Sequence, residues 1–447
     1  MHSRTLWLLG AGLLSLAGAV FAVETQGLAE ATPSGVNPNP VHLYRPPVAP
    51  LSAMALLGKE IFYDTSLSSS GRLSCASCHS PDHAYGPPND GPVMLGGATL
   101  SQQGARAVPS LTYLERQPNF SIGPDKGDDD NIIDLAQMAA LGQRAARTTK
   151  TAGGTGASAN IVPQGGLFWD GRADTLQGQA LFPLLDPNEM DGGRVEIVVD
   201  KLRRAPYVQR FVELFGAGVL KNQRLLIAEA MFAVARYQVE EQSFHPYSSK
   251  YDYWLEGKAR LSESELRGLQ LFNDPDKANC AGCHISAPTR DSLPPLFTDH
   301  QYEALGAPRN AALAGNREPN YFDLGVCGPQ RTDVAEQTQY CGMFLTPTLR
   351  NTATRHAFFH NGVFSTLEQV MDFYNFRDTD PEKVFAHAAD GTAQKYDDLP
   401  QKYHANVDVT DPPFDRHLGD KPAMTDQDMT DIIAFLKTLT DGYKVEN

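Results

Sequence analysis

Two short segments restrict this 447-residue chain more than any other: Cys75-Ala76-Ser77-Cys78-His79 and Cys280-Ala281-Gly282-Cys283-His284. Each is a C-x-x-C-H motif, the attachment pattern of a c-type haem. Two thiols at this spacing add across the haem vinyl groups, and the adjacent imidazole is placed to ligate the iron from one side. The four motif cysteines offer zinc as a competing reading, two C-x-x-C pairs on one ion. A His directly after each second Cys, twice over, favours two covalently bound haems.

Residues 1–22 read as a secretory signal peptide. His2 and Arg4 precede an apolar run from Leu6 to Val20, and Val20-Phe21-Ala22 offers small residues for cleavage. The run is short and glycine-rich for a membrane span, and no later stretch is apolar enough to cross a bilayer. Export together with haem attachment makes the bacterial periplasm the expected compartment. Of six cysteines the motifs take four, leaving Cys327 and Cys341. In an oxidising compartment these two are expected to pair, closing a short loop worth roughly 2–4 kcal/mol. The formal charge of −15 argues against nucleic acid, whose phosphates need a basic face.

The chain divides in order. Residues 23–50, rich in Pro and polar side chains, read as an extended arm or linker. A helix follows from Ser52 to Phe62, containing Gly58-Lys59-Glu60-Ile61-Phe62-Tyr63-Asp64. The phrase returns before the second motif as Gly268-Leu269-Gln270-Leu271-Phe272-Asn273-Asp274, where Ser262 and Glu265 form a capping box. The unit of amphipathic helix, short loop and C-x-x-C-H therefore occurs twice. It is how a small cytochrome c domain begins. Residues 51–256 and 257–447 are the expected domains, with an insertion at about 121–166. Within it, Asp125, Asp128, Asp129 and Asp130 read as a solvated loop rather than a calcium site, because EF-hand spacing is absent. Thr148 to Gly166, rich in Gly, Thr and Ala, reads as a mobile stretch. Leu225 to Tyr237 has a helical pattern, and Thr425 with Asp428 caps a last helix whose Met429, Ile432, Ile433 and Leu436 share one face. Strand patterns are scarce, so the expected fold is mainly α.

Several ordered motifs make the chain resemble the bacterial di-haem cytochrome c peroxidase family, including its MauG branch. They are Leu57 to Asp64, Leu67 to Gly71, both C-x-x-C-H motifs, Phe168-Trp169-Asp170-Gly171-Arg172-Ala173, Asn188-Glu189-Met190, Phe297-Thr298-Asp299, Thr346 to Asn351 and Phe359-His360-Asn361-Gly362. The resemblance implies two cytochrome c-like domains with one haem each. The N-terminal haem would react with H2O2 and the C-terminal one would handle electrons. It makes His79 and His284 the proximal ligands and Glu189 the acid–base group that moves a proton between the peroxide oxygens. Gln179 and Pro183 would line that pocket, Trp169 would carry charge between the haems, and Arg350 and His360 would contact a haem. Family members often close the resting first haem with a removable His near the position of Thr99. No His lies between His83 and His245 here, which makes the site open, as in MauG.

Counting from His360, the distal ligand position of the second haem falls on Tyr374, with Met371 one helical turn earlier as the alternative. The choice matters chemically. A thioether favours ferrous iron and raises the potential, whereas a phenolate lowers it and suits storage of an oxidising equivalent. Tyr374 implies a MauG-like oxidant that shares equivalents between both haems. Met371 implies a peroxidase that reduces H2O2 to water with electrons from a small cytochrome or cupredoxin. A di-haem electron carrier or redox sensor without turnover is a third class. Calcium is doubtful, because the family's ligand positions read Ala107 and Arg355-His356-Ala357, where Arg355 brings a charge of the same sign. The partner is either a redox protein or a protein substrate. Family members are often dimers, so a homodimer is an open expectation.

Overall fold

The computed structural model describes residues 35–124 and 161–445. The signal segment, the aspartates of 125–130 and most of the insertion lie outside the described residues. In chain order the helices are α1 (Ala53–Phe62), α2 (Cys75–Cys78), α3 (Leu176–Leu185), α4 (Val195–Leu202), α5 (Val208–Phe215), α6 (Gln223–Glu240), α7 (Lys250–Leu255), α8 (Glu263–Asn273), α9 (Cys280–Cys283), α10 (Leu367–Phe376) and α11 (Asp426–Lys437). Short antiparallel pairs join β1 (Leu95–Gly96) to β2 (Gln102–Gln103), β3 (Ser121–Pro124) to β4 (Ile161–Gln164), and β5 (Tyr302–Glu303) to β6 (Phe344–Leu345). The fold is mainly helical. The β3–β4 ribbon closes the base of the insertion, with Ser121 opposite Gln164 and Pro124 opposite Ile161. Gln164, Gly165 and Gly166 are thereby buried, so the far end of the stretch expected to be mobile is a strand and its continuation.

Both copies of the repeat are built alike. Ser52 caps α1 by accepting from the Ala55 amide at 3.1 Å, and Ser262 caps α8 by accepting from the Glu265 amide at 3.3 Å. Helix α1 buries Ala55, Leu57, Gly58, Ile61 and Phe62; helix α8 buries Leu266, Gly268, Leu269 and Phe272. Each packs that stripe across a second helix, α1 on α6 and α8 on α11. The crossings are so close that only glycine fits. A Cβ on Gly58 would lie 1.8 Å from the Ala233 carbonyl oxygen, and one on Gly268 would lie 1.9 Å from that of Asp431. The next nearest side chains are Tyr237 and Phe435, which makes α6 the counterpart of α11.

Two hydrophobic cores result. One gathers Leu57, Phe62, Tyr85, Leu184, Phe211 and Phe244, and the other gathers Phe272, Phe297, Met371, Phe373, Ile432 and Phe435. The changeover falls earlier than residue 256. Helix α7, expected in the first half, places Tyr251, Trp254 and Leu255 in the second core. The N-terminal arm also belongs there: Leu43 joins that core, the Val41 amide donates to Leu255 O at 2.8 Å, and Arg45 pairs with Glu256 at 2.8 Å. Between the halves, Cys327 and Cys341 are disulfide-bonded, with Cα atoms 5.0 Å apart.

Because the glycine contacts are with backbone, neither crossing can absorb a methyl group by side-chain movement. Gly58→Ala and Gly268→Ala are each expected to destabilise the holoprotein by about 1–3 kcal/mol or more, read as a lower urea midpoint at unchanged m-value.

Candidate di-haem site

Each C-x-x-C-H segment follows its crossing helix through a short loop and turns once as a helix, α2 or α9. The His79 amide donates to Cys75 O at 2.9 Å, and the His284 amide to Cys280 O at 2.8 Å. Each imidazole is then oriented by one carbonyl. His79 Nδ1 lies 3.0 Å from Tyr85 O, and His284 Nδ1 lies 2.8 Å from Phe297 O. With Nδ1 donating, Nε2 keeps its lone pair for a metal. The two accepting carbonyls share a backbone feature: Tyr85 and Phe297 are left-handed, at φ 54° and 55°. Burial lowers the pKa of both imidazoles to about 4, and the carbonyl bonds only partly offset it; at His79 the Arg355 cation pushes the same way. Both rings are therefore neutral at any physiological pH, the form that binds iron.

None of the four motif cysteines is in a disulfide, and burial pushes the pKa of all four thiols well above the ordinary value. Among the described residues no three His, Cys, Asp or Glu side chains converge as a metal cluster requires. Paired thiols beside a neutral imidazole with one nitrogen engaged fit a covalently held haem at each motif.

A cavity of about 560 Å³ begins at His284 and runs toward the first half. Cys280, Cys283, His284, Met371 and Tyr374 line its inner end. Both candidate distal ligands thus face the same space, Met371 buried and Tyr374 half-buried. Tyr374 stacks on Phe414 with ring centres 5.3 Å apart, and burial, with the nearby cysteines, raises its pKa well above the ordinary phenol value. Trp169, Gln179, Arg350, Arg355 and His360 line the rest of the cavity. His79, Cys75, Cys78, Pro183 and Glu189 do not.

Glu189 sits instead on the far side of the Cys78 turn, near enough for its charge to raise the Cys78 thiol. It is positioned by the α3 turn, whose Asp186 carbonyl accepts the Glu189 amide at 3.1 Å, while Pro183 O accepts Met190 N at 3.1 Å. The β1–β2 hairpin, which carries Thr99 at its tip, clamps it: Gly97 N donates to Glu189 O at 2.8 Å, and a Cβ on Gly96 would approach that oxygen to 2.5 Å. Glu189 is half-buried, yet enough protein surrounds the carboxyl that burial, with Asp186, raises its pKa to about 7 against the pull of Arg172.

Trp169 is tied into the joint between the halves. Its Nε1 donates to Ala107 O at 2.8 Å, and Ala107 N donates to His360 O at 2.8 Å. Beside it, the fully buried Asp170 is held by Arg106 at 2.7 Å and Arg172 at 2.9 Å, and Arg106 also holds Asp323 at 2.6 Å. His360 stacks on Phe344 at 3.6 Å and pairs with Asp398 at 3.2 Å. Arg355 donates to Val108 O at 2.9 Å, and burial lowers its pKa to about 10. The guanidinium of Arg350 is committed to Asp252 through two bonds of 2.9 and 2.7 Å and lies over the rings of Tyr113 and Tyr247. Asp252, Asp398 and Asp323 were not legible in the sequence, because a lone aspartate shows no partner until the fold supplies one.

Two crossing-helix units, each presenting paired thiols and a carbonyl-held imidazole, define a di-haem c-type protein. Comparison with known proteins gives its relatives. The family model described as di-haem cytochrome c peroxidase matches residues 52–260. The methylamine utilization protein MauG of Paracoccus denitrificans is 32% identical over 72% of this chain and 74% of that protein. The cytochrome c551 peroxidase of Nitrosomonas europaea is 28% identical over 73% of this chain and 76% of its own. Among solved structures, the di-haem peroxidase BthA of Burkholderia thailandensis superposes with a TM-score of 0.74 at 35% identity, covering 90% of this chain and 89% of that one. The chain belongs to the di-haem cytochrome c peroxidase family: it is an oxidoreductase with two c-type haems that reacts with peroxide. No helix among the described residues is long and apolar enough to cross a membrane.

Removing the partner of a fully buried charge is the sharpest test of the joint. Asp252→Ala leaves the Arg350 guanidinium only the more distant carboxylate of Asp441, 4.0 Å away, and is expected to cost about 3–5 kcal/mol, read by urea unfolding of the holoprotein.

Proposed function

We propose that this protein is an exported, periplasmic oxidant of the MauG type, with Glu189 as acid–base group of the His79 site and Tyr374 opposite His284. The observation that carries the reading is the Glu189 carboxyl, half-buried beside the Cys78 turn with its pKa raised to about 7. A group poised near neutrality is as ready to take a proton as to return it. The haems supply redox-active iron when bound. Glu189 takes the proton from the near oxygen of peroxide and delivers it to the far oxygen, so that water leaves. Pro183, whose carbonyl accepts the Met190 amide, bounds the peroxide pocket beside Glu189, while Gln179 faces the cavity of the second haem and Trp169 carries charge across the joint. The absence of any His between His83 and His245 supports an open first site.

Tyr374 and Met371 separate this reading from a peroxidase fed by a small cytochrome or cupredoxin. The cavity lining admits both. Tyr374 is favoured because it stands at the ligand position counted from His360, close to both attaching cysteines. The Burkholderia peroxidase has also been solved with one tyrosine exchanged for methionine, the same two side-chain types that compete here. The acceptor of the oxidising equivalents is a partner protein or a redox protein, and the two cores correspond to two domains that change over near residues 245–249.

Glu189→Gln is expected to slow peroxide consumption by about 10²–10⁴-fold. Glu189 must be ionised to accept the proton, so the wild-type rate should rise with pH through about 7 and level above it. The variant should show no such rise, and a rate equal to wild type would remove Glu189 from the mechanism. For the second haem, Tyr374→Phe should change the low-spin ferric EPR signal while Met371→Leu leaves it alone. The reverse result would make Met371 the ligand.

A further inference from the structure

The first core contains tyrosines that its repeat lacks. Tyr85, whose carbonyl holds His79, stacks its ring on Phe244 at 3.6 Å and touches Phe62 at 6.2 Å. Tyr237 packs on Phe62 at 5.5 Å and Phe244 at 5.3 Å, the same two rings that Tyr85 meets, and the Tyr85 hydroxyl lies 2.6 Å from Ser243 Oγ. Tyr63, next to Phe62 at 5.4 Å, ends the row at the surface with 43% of its area exposed. Tyr85 and Tyr237 are both about 1% exposed.

The second half is an internal control. The carbonyl that accepts from its imidazole belongs to Phe297 where the first half has Tyr85. The residue beside its helix crossing is Phe435 where the first half has Tyr237, and Asn273 follows Phe272 where Tyr63 follows Phe62. The ring geometry is otherwise alike: Phe272 meets Phe297 at 6.1 Å and Phe435 at 5.1 Å. At the positions of Tyr85 and Tyr237 packing is therefore satisfied by phenylalanine, whereas Tyr251, which meets those phenylalanines at 5.6 and 5.3 Å, donates its hydroxyl to Ser286 O at 3.2 Å within the core. A phenol is oxidised far more readily than a phenyl ring, because it can give up its O–H proton together with an electron.

We infer that Tyr85, Tyr237 and Tyr63 form a relay that carries oxidising equivalents from the His79 site to the protein surface, with Tyr63 as the place where a one-electron donor is oxidised. The inference rests on the proposed peroxide chemistry at His79. Reduction of H2O2 to two waters consumes two electrons and two protons. When one of these electrons comes through the relay, it leaves Tyr63, the phenolic proton passes to solvent, and a neutral tyrosyl remains. A one-electron donor such as a phenol restores it by giving one electron and one proton. Without a donor, two such radicals on different molecules join carbon to carbon as dityrosine, each ring proton returning to its oxygen.

The test treats the ferric holoprotein with H2O2 in the absence of donor, follows peroxide loss, and reads dityrosine fluorescence and the mass of the Tyr63 peptide. Dityrosine at Tyr63 is expected, lost in Tyr63→Phe and strongly reduced in Tyr237→Phe and Tyr85→Phe. The last two install the phenylalanines that the second half already packs, and haem absorbance confirms their loading. Peroxide consumed with the Tyr63 peptide unmodified, or modification undiminished in Tyr237→Phe, overturns the relay alone. Peroxide left unconsumed overturns both the relay and the reading of the His79 site.

Discussion

Everything in this protein that positions an iron depends on a backbone contact between two helices. At Gly58 and at Gly268 the crossing is tighter than any side chain permits, so the first helix of each half has one place to lie. The C-x-x-C-H turn follows within a short loop, and its location is inherited from that crossing. The remainder of each half then needs only to bring a carbonyl to the imidazole and a wall to the other side. The same solution occurs twice with little in common at the sequence level beyond the glycine and the phenylalanine four residues later.

That economy explains what could be read in advance. Glycine, phenylalanine and the haem motif sit close together, so the repeat, both starting helices and the Ser262 cap were legible, whereas Ser52 was read as part of its helix rather than as the cap. The partner of α1 was harder. Helix α6 is buried on several faces, against α1 and against α3, with Leu226, Ala230, Ala233, Val234 and Tyr237 all inaccessible. A helix enclosed in this way has no single apolar stripe, so its equivalence with α11 does not show as periodicity. The changeover between halves was read too late, because α7 is short and its aromatic residues suit either core. The β3–β4 ribbon lay hidden in a stretch whose composition suggests a loop. Nor could Tyr85 or Phe297 be foreseen, since nothing in a tyrosine or phenylalanine announces a left-handed backbone.

The charged residues at the joint follow a different logic from the cores. Asp170, Arg106, Asp323, Arg350 and Asp252 are buried and paired, an arrangement that seldom adds stability over apolar packing but penalises any misfit severely. Such pairs fix the orientation of one half against the other. Trp169 stands directly beside Asp170, and its Nε1 bond to Ala107 adds a further constraint. The joint thus holds an aromatic side chain in one geometry.

The proximal sides of the two sites are close to identical. Each imidazole is buried, neutral, and held through Nδ1 by one left-handed carbonyl, at 3.0 Å in one half and 2.8 Å in the other. Ligand basicity set by that bond therefore cannot make one haem a peroxide site and the other an electron store. The difference has to arise on the opposite faces. On the proposed reading the first half answers with the Glu189 carboxyl, balanced near neutrality, and the second with the phenol of Tyr374 or the thioether of Met371, which line the cavity at His284. One fold, duplicated with its proximal chemistry intact, would then divide its labour through what each copy places across from the histidine.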